Sequence, residues 1–449
     1  MAASSRSLAF WQRVAPRVPF CARERTRTCA SVSRLQSSPL SGIHSRSTPI
    51  ANAVLVKTQC RYKSSSVGST SSAPVETEDN VLRVGRVKIP NIWLRDNCQC
   101  STCFHADTKQ RLHDTFQIPH NLRIRSSESD GKTTAIEWSD GHRSRYDHSV
   151  LRQAAAPFKE RAIIRQGLAE EPVYWGSEIA SSPPKVPHDA PNAMRKILEN
   201  IRNYGFTYIT NVPFHSPTPT EEILTSIAGF LRLTHYGGFY VFTSDLASAD
   251  TAYTNIALEA HTDTTYFSEP AGLQAFHLLS HTDGEGGASL LVDGFKCALD
   301  LKSQDPEAYR ILSEVNVHAH ASGNKGISIQ PFRGFPVFSH DPATGQLLQV
   351  RWNSSDRAGI ELPIAETPKW YAAARKYNAL LKKKRNEYWE QLTPGNILLF
   401  DNWRVLHGRS AFTGKRTICG AYVSRDDWVS RWKIERWGDE AAGRAIAAS

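Results

Sequence analysis

Acidic residues are almost missing from the first 75 positions. That stretch holds eleven Lys or Arg and one acid, Glu24, and so accounts for the whole formal charge of +10. The other 374 residues balance at 43 basic against 43 acidic. A near-neutral body removes the electrostatic case for a nucleic-acid partner. Long apolar runs are missing too. None is long enough for a secretory core or a membrane span, so no membrane association is expected. An Arg- and Ser-rich, acid-poor leader reads instead as a mitochondrial presequence and disordered segment over residues 1–75, addressed to the matrix. Its cleavage neighbourhood is Arg61-Tyr62-Lys63-Ser64. The reducing matrix argues against a disulfide framework for the eight cysteines, of which Cys21, Cys29 and Cys60 lie in the leader. No internal repeat is evident.

The chain of 449 residues can bury a large core in two or three domains. After the leader, residues 80–155 read as a small β-rich module. Arg83–Ile89 and Leu122–Arg125 alternate, and Ser139-Asp140-Gly141-His142 marks a turn after the strand Ile136–Trp138. A Pro-containing linker near Ser181–Asp189 leads to a larger domain over 185–430, with a tail over 431–449. Met194, Ile197, Leu198 and Ile201 recur at helical spacing before Gly205. Thr218-Pro219-Thr220-Glu221 predicts a capping box that opens a helix with Ile223, Leu224, Ile227, Phe230 and Leu231 inward. Short strands follow at 273–279, 288–292, 349–352, 396–400 and 417–423. This pattern predicts a mainly β chain with flanking helices, its catalytic domain a jelly-roll or double-stranded β-helix. The run Lys382–Arg385 reads as a solvated face.

Three separated groups carry the chemistry: His261-Thr262-Asp263, His407 and Arg416. Two imidazoles and one carboxylate are the facial ligand set of non-haem iron(II) oxygenases. In an extended chain His261 and Asp263 point the same way and can share an ion. The planar fork of Arg416 suits the far carboxylate of 2-oxoglutarate. Arg416, Ile418, Gly420 and Tyr422 share one strand face, with Gly420 expected to leave room for a ligand. Tyr236, Tyr240, Tyr253 and Tyr422 are candidates for an aromatic cage around a quaternary ammonium, each ring contributing roughly 0.5–2 kcal/mol. Cys98, Cys100 and Cys103 offer three thiolates at zinc spacing. His142 is the preferred fourth ligand for a structural Zn(II), with His105 and His113 as rivals.

From about Trp93 to Asp427 the sequence resembles the butyrobetaine/trimethyllysine dioxygenase family of Fe(II) and 2-oxoglutarate oxygenases, within the taurine-dioxygenase-like group. The resemblance is carried by Trp93-Leu94-Arg95-Asp96, Phe242-Thr243-Ser244-Asp245, Asp250-Thr251-Ala252-Tyr253, His261–Pro270, Leu290–Phe295, Asp401–Arg409 and Phe412-Thr413-Gly414. It implies that His261, Asp263 and His407 bind iron and that Arg416 and Ser289 hold 2-oxoglutarate. It also implies that the four tyrosines surround a trimethylammonium group and that Cys98, Cys100, Cys103 and His142 bind zinc. Two departures from the butyrobetaine enzymes stand out. Tyr240 replaces a Trp, and Asp250 replaces an Asn near the substrate's other end, where an acid can pair with an α-ammonium. The expected activity is O2-dependent hydroxylation of carbon 3 of the small molecule N6-trimethyllysine, the first step of carnitine synthesis. Butyrobetaine hydroxylation is the alternative. A zinc-stabilised binding protein with a vestigial iron site is a reading from another class, disfavoured by the intact ligand set. A homodimer is the candidate assembly and ascorbate a candidate further cofactor. Asn353 and Ser354 are candidates for the substrate carboxylate, and the tryptophans after Asp427 carry no functional reading.

Overall fold

The computed structural model describes residues 73–78, 80–169, 171–243 and 254–439. The leader, Asp250 and Tyr253 lie outside them. The described residues belong to one compact unit.

The N-terminal module opens with a three-stranded meander, Val75–Glu78, Val81–Val84 and Val87–Ile89. A helix, Asn91–Asp96, follows, and then a second antiparallel sheet of Ile124–Ser129, Thr133–Trp138 and Arg143–Asp147. Alternation sorts its side chains: Thr134, Ile136 and Trp138 are buried while Ala135 is exposed. Leu82, Leu94, Trp138 and Leu151 form a dry core, and Tyr146 donates its hydroxyl to the Leu94 carbonyl at 2.6 Å.

The larger region is built on two sheets. The elements that build these sheets and cover them are β1 (Lys185–Pro187), α1 (Ala193–Tyr204), β2 (Phe206–Thr210), α2 (Thr218–Ala228), β3 (Phe239–Thr243), β4 (Leu258–His261), β5 (Leu273–Thr282) and β6 (Ser289–Asp293). There follow α3 (Gly294–Gln304), α4 (Pro306–Glu314), α5 (Thr367–Leu381), β7 (Tyr388–Glu390), β8 (Ile397–Asp401), β9 (Val405–Arg409), β10 (Lys415–Val423) and α6 (Arg425–Trp437). One sheet runs β1-β2-β8-β5-β10-β3, the other β4-β9-β6-β7. Every pair is antiparallel except β1–β2. Leu398, Phe400, Ile418 and Leu278 of the first sheet pack with Leu291 and Val405 of the second, so the sheets face each other as a double-stranded β-helix.

The outer face of the six-stranded sheet is covered by helices. Ile397, Leu399, Ala421 and Val423 pack with Ile197, Leu198, Leu224, Ile227, Trp428 and Trp432. Each fully buried Leu or Ile among them contributes about 1.5–3 kcal/mol. The tryptophans after Asp427 thus find a structural purpose on α6. Trp432 is 1 % exposed, donates to Glu199 at 3.1 Å and carries the Arg202 guanidinium 3.7 Å above its ring.

The expected helix ends are partly corrected. Gly205 terminates α1 at φ +80°, a conformation only glycine adopts at little cost. The capping box at Thr218 does not form. The helix already includes Thr218, Ser216 accepts from its amide, and the Thr220 hydroxyl is buried against His277 Nδ1 at 2.7 Å. Phe230 is 59 % exposed rather than inward, because α2 stops at Ala228 and Gly229 turns the chain. No helix among the described residues is long and apolar enough to cross a membrane.

Candidate functional site

His261 ends β4 and faces His407 on β9 as its direct register partner, with ring centroids 4.3 Å apart. Sheet pairing therefore brings together two imidazoles far apart in sequence. Just beyond β4, Asn402 grips the backbone of Asp263 from both sides: its Oδ1 accepts the Asp263 amide at 2.8 Å, and its Nδ2 donates to the Asp263 carbonyl at 3.0 Å. Asp263 Oδ1 lies 3.2 Å from His261 Nε2 and 3.8 Å from His407 Nε2. One ligand atom from each residue lies within 4.8 Å of the others, a triangle that one ion can cap. His261 Nδ1 donates to the Glu259 carbonyl at 2.7 Å, which leaves Nε2 as the lone-pair donor.

The electrostatics suit a cation. Burial alone would raise the Asp263 carboxyl, but His407, His261 and the Tyr422 hydroxyl outweigh it and hold the group well below the ordinary range. Burial, then the neighbouring His261, pushes His407 down to about 3. The carboxylate is thus held ionised and the His407 imidazole neutral, as metal binding requires, while at His261 burial is outweighed by the neighbouring Asp263, which raises the imidazole, whose proton a metal would displace.

Arg416 points inward from β10 and is 2 % exposed. Burial and then Arg409 push it down to about 10. Both guanidiniums lie over the Phe412 ring, at 4.9 and 4.8 Å. Gly287, at φ +71°, leaves room for Arg416. A Cβ there would stand 2.7 Å from Nη1. Ser289 sits opposite Arg409 on β6 and lines the same cavity. This cationic end suits a carboxylate ligand. Arg404 serves elsewhere, buried against Asp293 at 2.8 Å.

The cavity has a volume of about 620 Å³. Tyr236, Tyr240 and Tyr422 line it, together with Tyr266, Asn353, Ser354 and Asp356. Tyr240 and Tyr422 rings lie 5.7 Å apart, and Tyr240 donates to the Ala275 carbonyl at 3.1 Å. Two features differ from the sequence expectation. The space above Gly420 is filled by its register partner Tyr240, which a Cβ would meet at 2.9 Å, so it is not open to a ligand. Tyr422 does more than offer a ring face, since its hydroxyl donates to Asp263 Oδ2 at 2.8 Å. Tyr266 and Asp356 were missed. Tyr266 lies inside the recognised His261–Pro270 run, the one signal that could have found it. Asp356 sits in a loop with no periodic pattern to reveal its direction. Lys382, from the basic run read as solvated, also lines the cavity and pairs with Glu259 at 2.9 Å.

Cys98, Cys100 and Cys103 gather around His142, with sulfur to Nε2 distances of 3.4, 3.6 and 3.5 Å. A tetrahedral zinc with ordinary bond lengths needs a sulfur–nitrogen edge of about 3.5 Å. The rival histidines are engaged elsewhere. His105 Nδ1 accepts the amides of Asp107 and Thr108, and His113 lies against Asp96 and the Cys103 carbonyl. Arg95 donates to Cys103 Sγ at 3.2 Å and to Asp140 at 3.2 Å, while Asp140 accepts the His142 amide at 3.0 Å. Burial raises the Cys100 thiol, but its bonds with Thr102 outweigh this and bring it down to about 7.

Two family models match the chain: taurine catabolism dioxygenase TauD, TfdA family, over residues 165–422, and the gamma-butyrobetaine hydroxylase-like N-terminal domain over residues 80–152. The chain is 44% identical to a trimethyllysine dioxygenase of Neurospora crassa, over 78% of this chain and 80% of that one. It is 37% identical to the mitochondrial trimethyllysine dioxygenase of Rattus norvegicus, over 76% and 82%. Against the gamma-butyrobetaine dioxygenase of Pongo abelii the identity is 30%, over 77% and 91%. With its N-terminal module and its double-stranded β-helix both matched, the chain belongs to the trimethyllysine dioxygenase family within the wider TauD, TfdA family.

Proposed function

We propose that this protein hydroxylates carbon 3 of N6-trimethyllysine with iron(II), 2-oxoglutarate and O2, opening carnitine synthesis. The observation that carries this reading is one cavity holding a facial His261, Asp263, His407 donor set, a buried Arg416 and three tyrosine rings. Bound at the donor set, iron(II) with 2-oxoglutarate supplies oxidation of a C–H bond by O2, with release of succinate and carbon dioxide. The protein binds and orients. The Arg416 fork and the Ser289 hydroxyl hold the far carboxylate of 2-oxoglutarate. Tyr236, Tyr240, Tyr422 and, from the sequence, Tyr253 receive the trimethylammonium group. Asp250 receives the α-ammonium, with Asn353 or Ser354 at the substrate carboxylate. Fixing both ends of the substrate presents one C–H bond to the oxidant.

A structural zinc on Cys98, Cys100, Cys103 and His142 stabilises the N-terminal module, which we propose as a domain over 80–155. Mitochondrial targeting by the basic leader is supported by the animal relatives that carry "mitochondrial" in their names. The test is turnover of a panel of trimethyllysine, butyrobetaine and lysine, read as succinate release. Trimethyllysine should be the preferred substrate. Preference for butyrobetaine would transfer the chain to the alternative activity, and no turnover with iron(II) loaded would end the oxygenase reading.

A further inference from the structure

Gln274 on β5 and Tyr422 on β10 are direct register partners in neighbouring strands. Both side chains turn inward, and both donate to the same atom. Gln274 Nε2 reaches Asp263 Oδ2 at 2.7 Å and the Tyr422 hydroxyl reaches it at 2.8 Å. A carboxylate oxygen has two lone pairs, so these donors occupy Oδ2 fully. The other oxygen, Oδ1, is the one that lies beside the two imidazoles. Gln274 is 1 % exposed, and its own Oε1 has no hydrogen-bond partner among the described residues. A buried amide left half satisfied is costly, so its bond to Asp263 is the interaction that explains its presence. The Asn402 grip fixes the backbone of the same residue.

We propose that Gln274 and Tyr422 are positioning residues that restrict Asp263 to one metal-coordinating oxygen, keeping a coordination position open for dioxygen. This rests on the iron reading above. Three protein ligands and a chelating keto acid leave a single position on an octahedral ion. A bidentate Asp263 would take it. Placing Oδ2 on the metal would take one of its two lone pairs and leave at least one buried donor unsatisfied, and that penalty is what the strand register builds in. Tyr422 is also a wall of the cation site, so its ring and its hydroxyl have separable tasks.

The test uses the full-length protein with Tyr422→Phe, Gln274→Leu and the double substitution. Cobalt(II) spectra report coordination number. Nitric oxide binding to the anaerobic iron(II)–2-oxoglutarate form reports the open position. The double variant should keep cobalt(II) affinity within about threefold, shift its visible bands towards higher coordination and lose about tenfold or more in nitric oxide affinity. Tyr422→Phe alone, which removes one atom, should lose about threefold in nitric oxide affinity and keep tetramethylammonium affinity within about twofold, since the ring remains. Unchanged spectra and unchanged nitric oxide affinity in both the single Phe variant and the double variant overturn the proposal. Loss of metal from folded variants overturns it too, because the residues would then hold the ion rather than limit its ligands. Wild-type protein that takes up neither cobalt(II) nor iron(II) removes the iron reading itself, a distinct failure.

Discussion

Arg416 is a cation that the fold buries beside a second cation, Arg409, in the wall of the cavity. A carboxylate ligand entering the cavity meets both guanidiniums in its wall. A bidentate fork then gains two charge-assisted bonds that an ammonium cannot reproduce. Arg416→Lys should therefore raise the apparent 2-oxoglutarate requirement about tenfold to a hundredfold, measured from succinate release against cosubstrate concentration. In the proposed reading substrate choice is decided at the other end. Trimethyllysine and butyrobetaine share the quaternary ammonium, so the tyrosine rings cannot separate them. Asp250→Asn should lower the ratio of specificity constants, trimethyllysine over butyrobetaine, by about tenfold or more, because only the former carries an α-ammonium for the acid to pair with. An unchanged ratio would show that the discriminating contact lies elsewhere, with Asp356 the next residue to test.

At the scale of elements, the zinc module and α6 make distinct demands. In the proposed zinc site Cys100 is one of four ligands, and its replacement would leave an open tetrahedron. Cys100→Ser should weaken zinc retention by more than about a hundredfold in a chelator competition and lower the melting temperature. On α6, Trp432→Ala removes a side chain that is 1 % exposed and should cost about 3–5 kcal/mol in urea unfolding. Much of this architecture was legible beforehand. Alternation in β10 put Arg416, Ile418 and Tyr422 on one face, and that face lines the cavity. The donor set was legible from His261-Thr262-Asp263 taken together with the later His407, Arg416 and the surrounding family-like runs, and the fold gathers the three ligands. What failed were features set by partners distant in sequence. The use of space at Gly420 depends on Tyr240 across the strand pair, and the fate of Thr220 depends on His277. Neither partner is signalled by local spacing. The Tyr422 bond to Asp263 was hidden for the same reason, since a tyrosine on an inward face looks like any other ring.

For the whole molecule, acid stability has an identifiable source. His277 on β5 is fully buried, with Nε2 accepting the Gly395 amide at 3.0 Å and Nδ1 on the Thr220 hydroxyl, so it ties α2 to the turn before β8. Burial pushes it down to about 4, below the 6.5 of an exposed histidine. Its contribution is fully present above pH 6.5. As pH falls from there to about 4 the unfolded chain takes up a proton that the folded chain refuses, so stability drops by up to about 1.4 kcal/mol per pH unit. His277→Gln should flatten that part of a urea-unfolding profile, and an unchanged slope would assign the loss to other groups. One further consequence follows from the way Asp263 is held. Its partners Asn402 and Tyr422 stand 139 and 159 residues away in the chain. Contacts of such long span form only after the intervening loop has closed, and they slow folding. During synthesis the first two ligands and Gln274 leave the ribosome well before Asn402, Tyr422 and the third ligand, His407. A nascent or truncated chain can therefore expose His261 and Asp263 without assembling an oxidising centre, so reactive oxygen chemistry waits for the last strand to dock.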